Sequence, residues 1–133
     1  MKNVQSQSTS NPTSIAQAAA VAALDGDQTC VTEMVRTFKK RHDVVHAALS
    51  RIPGVRAVAA DGAFYAFPDC NPAMEKLGLK DDVALAEHLL TRHGLAVVPG
   101  SAFGAPGHLR LSYATSDENL HKAITRLKAG LSG

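Results

Sequence analysis

One residue in this sequence asks for a chemical explanation before any other. The run "HLRLSYA" (108–114) reads as a strand with a permanent cation between two leucines. Strand side chains alternate, so Leu109, Leu111 and Tyr113 share one face and His108, Arg110 and Ser112 the other. The leucine face belongs against helices, which leaves Arg110 on the opposite face of the sheet. A guanidinium is always charged and presents a planar fork that matches a carboxylate through two parallel hydrogen bonds. Arg110 therefore reads as a carboxylate clamp, although spacing alone equally allows a surface arginine on an open sheet. Just upstream, "VPGSAFGAPGH" (98–108) holds three glycines and two prolines in eleven residues, enough for tight turns and close backbone approach to a ligand.

Other chemistries find less support. His42 and His46 stand four apart, a possible metal pair, but no carboxylate or cysteine completes a site, so no metal is expected. Ser101 lacks a G-x-S-x-G context, and the Gly-rich loop matches neither a dinucleotide fingerprint nor a P-loop. Cys30 and Cys70 form no C-x-x-C pair and read as reduced thiols of a cytoplasmic protein. A net charge of +2 without a dense basic run argues against nucleic acid. No stretch approaches the ~18 apolar residues that span a bilayer, and no targeting segment is read.

The elements that must position Arg110 follow from periodicity. Residues 3–14 are polar and read as a loop or tail, with Ser14 and Gln17 as a capping box for a helix over 15–24. That helix is apolar all round and expects cover on every side. A second, long helix starts near Asp27 or Thr29 and runs to about Ile52, with Val31, Met34, Val35, Phe38, Val45, Ala48, Leu49 and Ile52 on its core face. Asp61-Gly62 predicts a β-hairpin within 55–69, followed by a loop at 70–82, with or without a short turn of helix. Helices are expected over 82–93, with Val83, Leu85, Ala86, Leu89 and Leu90 inward, and over 117–131, with Leu120, Ala123, Ile124, Leu127 and Leu131 inward. The fold class is α+β, a small mixed or antiparallel sheet with helices packed on one face.

Five strings, "QSQSTSNPTSIAQAAAVAAL", "IPGV", "DGAFYAFPD", "LAVVPGSAFG" and "HLRLSYATS", together resemble the C-terminal portion of class I pyridoxal-phosphate aminotransferases. The likeness is closest to the prokaryotic-type aspartate aminotransferases, and it covers nearly all of the chain. The resemblance implies that Arg110 grips a substrate α-carboxylate and that Phe64 lies near the bound substrate. It implies that the loop carrying Thr9 and Asn11 approaches the cofactor of a partner subunit in a homodimer. It divides the chain into residues 1–26, a remnant of a large cofactor-binding domain, and 27–133, a C-terminal small domain. The parent would move an amino group between an amino acid, aspartate by resemblance, and a 2-oxo acid. The lysine that holds pyridoxal phosphate in that family, in an S-K-x-x-x-x-x-G-x-R-x-G setting, has no counterpart here. The chain alone is therefore expected to be inactive and to bind no cofactor. The alternative is a stand-alone, non-catalytic binding module, whose apolar helix over 15–24 would then need cover by self-association.

Overall fold

A computed structural model describes residues 2–8 and 11–132. The chain divides into two compact units, Met1–Val35 and Arg36–Gly133, each taken by itself below.

The first unit is helical. α1 (Lys2–Ser8) forms where the sequence suggested a loop or tail. Its serines turn inward on the backbone: Ser6 Oγ donates to the Asn3 carbonyl at 3.0 Å and Ser8 Oγ to that of Val4 at 2.8 Å. α2 (Ser14–Asp25) begins one residue earlier than expected, because Thr13 is the cap and its hydroxyl accepts from Ala16 N–H at 3.2 Å. Gln17 still reaches back, but its amide donates to the Pro12 carbonyl at 2.9 Å. Within its unit α2 buries nothing; Ile15 is 82% exposed and Leu24 78%.

α3 (Thr29–Leu49) carries the boundary between the units. Its apolar stripe is used only in its C-terminal half. Val45, Ala48 and Leu49 are buried and Phe38 is half-buried, whereas Val31, Met34 and Val35 are exposed, against expectation. The second unit continues with β1 (Tyr65–Ala66), α4 (Asn71–Leu77), α5 (Asp82–His93), β2 (Val98–Pro99), a 3-10 turn (Gly100–Phe103), β3 (Leu109–Ser112) and α6 (Asp117–Ser132). The sheet is antiparallel, in the order β1-β3-β2, with Tyr65 opposite Ser112 and Val98 opposite Arg110.

The expected hairpin around Asp61-Gly62 does not form. Residues 55–60 meet the returning chain at a single bridge, Arg56 with Asp69, and β1 pairs with β3 instead. The bend instead places Ala63 in the left-handed region at φ 62°. The segment read as a loop at 70–82 contains α4, whose first turn takes Pro72 and which Gly78 closes in the left-handed conformation at φ 66°.

The core lies between helices and the leucine face of the sheet. Leu109 and Tyr113 meet Leu85 and Leu89 of α5 and Leu120, Leu127 and Leu131 of α6. Val83 and Leu90, expected inward on α5, are each 53% exposed. α5 and α6 approach closely because Gly130 has no side chain: a Cβ there would lie within 2.4 Å of Leu89 Cδ2.

Candidate functional site

Arg110 stands on the central strand, on the face its parity requires. Its neighbours Leu109 and Leu111 turn into the core, Leu109 completely and Leu111 half-buried. The fold brings an aromatic ring to it from β1 and from the turn after β2. Its guanidinium carbon lies 4.7 Å from the centre of the Tyr65 ring, contributed by β1, and 4.5 Å from that of Phe103, at the end of the 3-10 turn that follows β2. Stacking of this kind uses the flat π-face of an aromatic and is compatible with free N–H donors on the guanidinium. Among the described residues no carboxylate forms an ion pair with Arg110.

The aromatic lining continues along the same face. The Phe67 ring stacks on His108 at 5.2 Å between centroids and meets Phe103 edge-on at 6.2 Å. Tyr65, Phe67, His108 and Arg110 are the one-face set of two neighbouring strands, which is why the sequence places them together once the register is known.

The Gly-rich loop is fixed by a residue that sequence reasoning missed. Asp82, at the start of α5, is 1% exposed, and its carboxylate accepts the Ser101 N–H at 2.6 Å. Burial opposes its ionisation. The N–H and hydroxyl of Ser101, its own N–H and that of Gly107 outweigh this and hold its carboxyl below the usual carboxylate range. Through Ser101 one buried anion thus ties the start of the loop to the first turn of a helix, where negative charge is favoured. Gly100 lets the loop close: a Cβ there would fall 2.4 Å from the Ala105 carbonyl oxygen and 2.6 Å from His108 Cβ. The preceding Asp81, which caps α5 by accepting from Ala84 N–H at 2.7 Å, masks the signal, since "DD" before an apolar run reads simply as a helix start.

Phe64, the second site residue expected from sequence, precedes β1. Its ring packs on Phe38 of α3 at 5.9 Å and on Tyr65 at 4.5 Å, and its carbonyl accepts from Tyr113 N–H at 3.0 Å. Its connection to Arg110 among these contacts runs through Tyr65. The Tyr113 hydroxyl donates to the Ala63 carbonyl at 3.2 Å, which pins the left-handed residue beside Phe64; burial raises the Tyr113 phenol above its ordinary range. Asn11 is an exposed residue of the first unit, and Thr9 lies outside the described residues. The His42–His46 pair is stacked at 5.9 Å, but both nitrogens of His42 are engaged, Nδ1 with Asp43 and Nε2 accepting from Ala60 N–H at 3.1 Å. No group of three metal-ligating side chains occurs among the described residues.

A family model described as aminotransferase class I and II matches residues 1–127. The chain belongs to that family. It is 46% identical over 138 residues to the aspartate/prephenate aminotransferase of Nitrosomonas europaea, covering 99% of this chain and 35% of the relative. It is 50% identical over 131 residues to the probable aspartate/prephenate aminotransferase of Aquifex aeolicus, covering 97% of this chain and 33% of that protein. Among solved structures, the aspartate aminotransferase of Rhizobium meliloti superposes with a TM-score of 0.85 at 40% identity, covering 96% of this chain and 33% of its own. The chain thus spans about a third of the length of the aminotransferases it matches.

The residues present do not by themselves fit the family's cofactor. A lysine that holds pyridoxal phosphate must be shielded and free to react, and all seven lysines here are exposed. Several are also paired: Lys39 with Asp43, Lys122 with Glu118 at 2.6 Å, and Lys76 with the Ser132 carbonyl at 2.7 Å. No helix among the described residues is long and apolar enough to cross a membrane.

Proposed function

We propose that this chain is the C-terminal small-domain segment of a pyridoxal-phosphate-dependent aminotransferase, and that Arg110 supplies the fork that grips the substrate α-carboxylate. The observation that carries the reading is a half-buried guanidinium on the central strand, flanked by two rings and paired with no protein carboxylate among the described residues. A cation held this way keeps its hydrogen-bonding capacity for a ligand, and a fixed carboxylate fixes the atoms attached to it. The names of the relatives favour aspartate as amino donor and a 2-oxo acid as acceptor. Residues 1–26 belong on this reading to the large domain and residues 27–133 to the small one. The parent is a cytoplasmic homodimer in which Thr9 and Asn11 face the partner's cofactor and Phe64 lines the approach to the substrate. The chain alone is inactive, because the lysine that holds the cofactor and moves the proton lies outside it.

Two measurements test the proposal. Intact mass after incubation with pyridoxal phosphate and borohydride is expected to show the unmodified 14.0 kDa chain; a stoichiometric adduct on one lysine overturns the division of labour. In the full-length enzyme, Arg110→Lys replaces two charge-assisted hydrogen bonds by a point charge. It is expected to lower kcat/KM roughly tenfold to a hundredfold, mostly through KM, from about 1.5–3 kcal/mol of lost binding. An unchanged kcat/KM removes Arg110 from the carboxylate role.

A further inference from the structure

We infer that Phe103 and Tyr65 are positioning residues for Arg110: the two rings fix the plane in which its guanidinium presents N–H groups to a ligand carboxylate. The inference rests on the reading of Arg110 as the carboxylate-binding residue, and it says what makes that residue effective. An arginine side chain has several freely rotating bonds, and ordering it costs conformational entropy at the moment of binding. Rings that restrain it beforehand remove that cost.

The geometry supports restraint from two sides. β3 is the central strand, so Tyr65 approaches from the β1 side and Phe103 from the β2 side. The guanidinium carbon is 4.7 Å from the centre of one ring and 4.5 Å from the other, so each ring restrains it from its own strand's side. Phe103 has little else to do. It is 49% exposed and takes no part in the hydrophobic core, and its one described ring neighbour is Phe67. Yet the turn that carries it is held firmly. Gly104 ends it in the left-handed conformation at φ 75°, with its N–H donating to the Gly100 and Ser101 carbonyls, and the Ser101 N–H is bonded to buried Asp82. A half-exposed phenyl on a rigid turn, aimed at the Arg110 guanidinium, is economical as a guide for that cation and wasteful as packing.

The test uses the 133-residue chain and reads Arg110 directly by its Nε–Hε resonance, assigned by its disappearance in Arg110→Lys. The wild-type signal is expected to be shifted upfield by the rings and to show the heteronuclear NOE of an ordered group, unlike Arg56, whose side chain is 77% exposed. Phe103→Leu and Tyr65→Leu should each remove part of the ring shift and lower the NOE towards that of Arg56. They should also weaken succinate binding at Arg110 roughly threefold to fivefold, the scale of one lost cation–π contact. Phe103→Tyr keeps a ring and should restore all three readouts. The backbone amide spectrum reports whether each variant keeps its fold, and the half-exposed Phe103 is the safer of the two sites. An Arg110 resonance as ordered and as shifted in Phe103→Leu as in the wild type overturns the inference. Succinate binding that Arg110→Lys leaves unchanged, with Arg110 still losing order in the ring variants, overturns the carboxylate role and leaves the restraint standing.

Discussion

Asp82 offers the sharpest test of how the site is held. Replacing it with asparagine keeps the shape but removes the charge that gathers N–H groups from Ser101, Gly107 and its own backbone. Hydrogen bonds to a charged acceptor contribute about 1.5–3 kcal/mol, and the new amide NH2 points a donor at donors, so Asp82→Asn should cost about 2–3 kcal/mol. Asp82→Ala leaves the Ser101 N–H without its acceptor at a position 1% exposed and removes the charge at the α5 N-terminus, for about 3–5 kcal/mol in all. Urea unfolding of the chain at neutral pH measures both. The sign of the pH dependence follows from the depressed carboxyl. Because the folded state holds its proton more weakly than the unfolded chain, the stabilisation is fully present well above the unfolded value of about 3.9. It is lost as pH falls through the still lower folded value. The gap between wild type and Asp82→Asn should therefore narrow below about pH 4. An Asp82→Asn protein within about 0.5 kcal/mol of wild type at neutral pH, or a gap that ignores acid, would refute the reasoning.

Gly100→Ala should cost about 2–4 kcal/mol by urea unfolding, because its Cβ meets the Ala105 and His108 backbone, which cannot swing aside. Ala63→Gly should raise stability by about 0.5–1 kcal/mol, since the residue stands at φ 62°; a loss of stability would mean the bend tolerates alanine without strain. Under a thiol reagent at mild pH the native chain should expose one reactive cysteine, Cys30. Cys70 is completely buried, burial pushes its thiol up to about 12, and it should react only after unfolding.

How much of this was legible in the sequence depended on how local the signal was. The faces of α6 and the parity of Arg110 could be read directly, because 3.6- and 2-residue periods need no knowledge of neighbours. Several of the failures turn on a partner, present or missing, that the local pattern does not show. Asp61-Gly62 is a good hairpin turn, but Tyr65 and Ala66 pair with Ser112 and Leu111, nearly fifty residues on, and a local turn preference is small beside that burial. Val31, Met34 and Val35 carry a proper apolar stripe with nothing in their unit to cover it. In the site, Arg110 was visible as an anomaly of charge. Phe103 and Tyr65 looked like ordinary loop and strand aromatics until the strand order brought them to it. Asp82 was hidden in a helix-start motif, since nothing in "DD" says that its second carboxylate answers a loop nineteen residues away.

The strand order carries a consequence for how the domain is born. In β1-β3-β2 the middle strand is the last to be synthesised, so neither earlier strand has a partner until residues 109–112 have emerged. Until then Leu85 and Leu89 have no sheet to pack against, and the turn carrying Phe103 has no cation to guide. A nascent chain stalled just before Leu109 should therefore be protease-sensitive throughout residues 55–108. Release of some two dozen further residues, enough for β3 and α6, should close the sheet, the core and the aromatic flanks of Arg110 in one step.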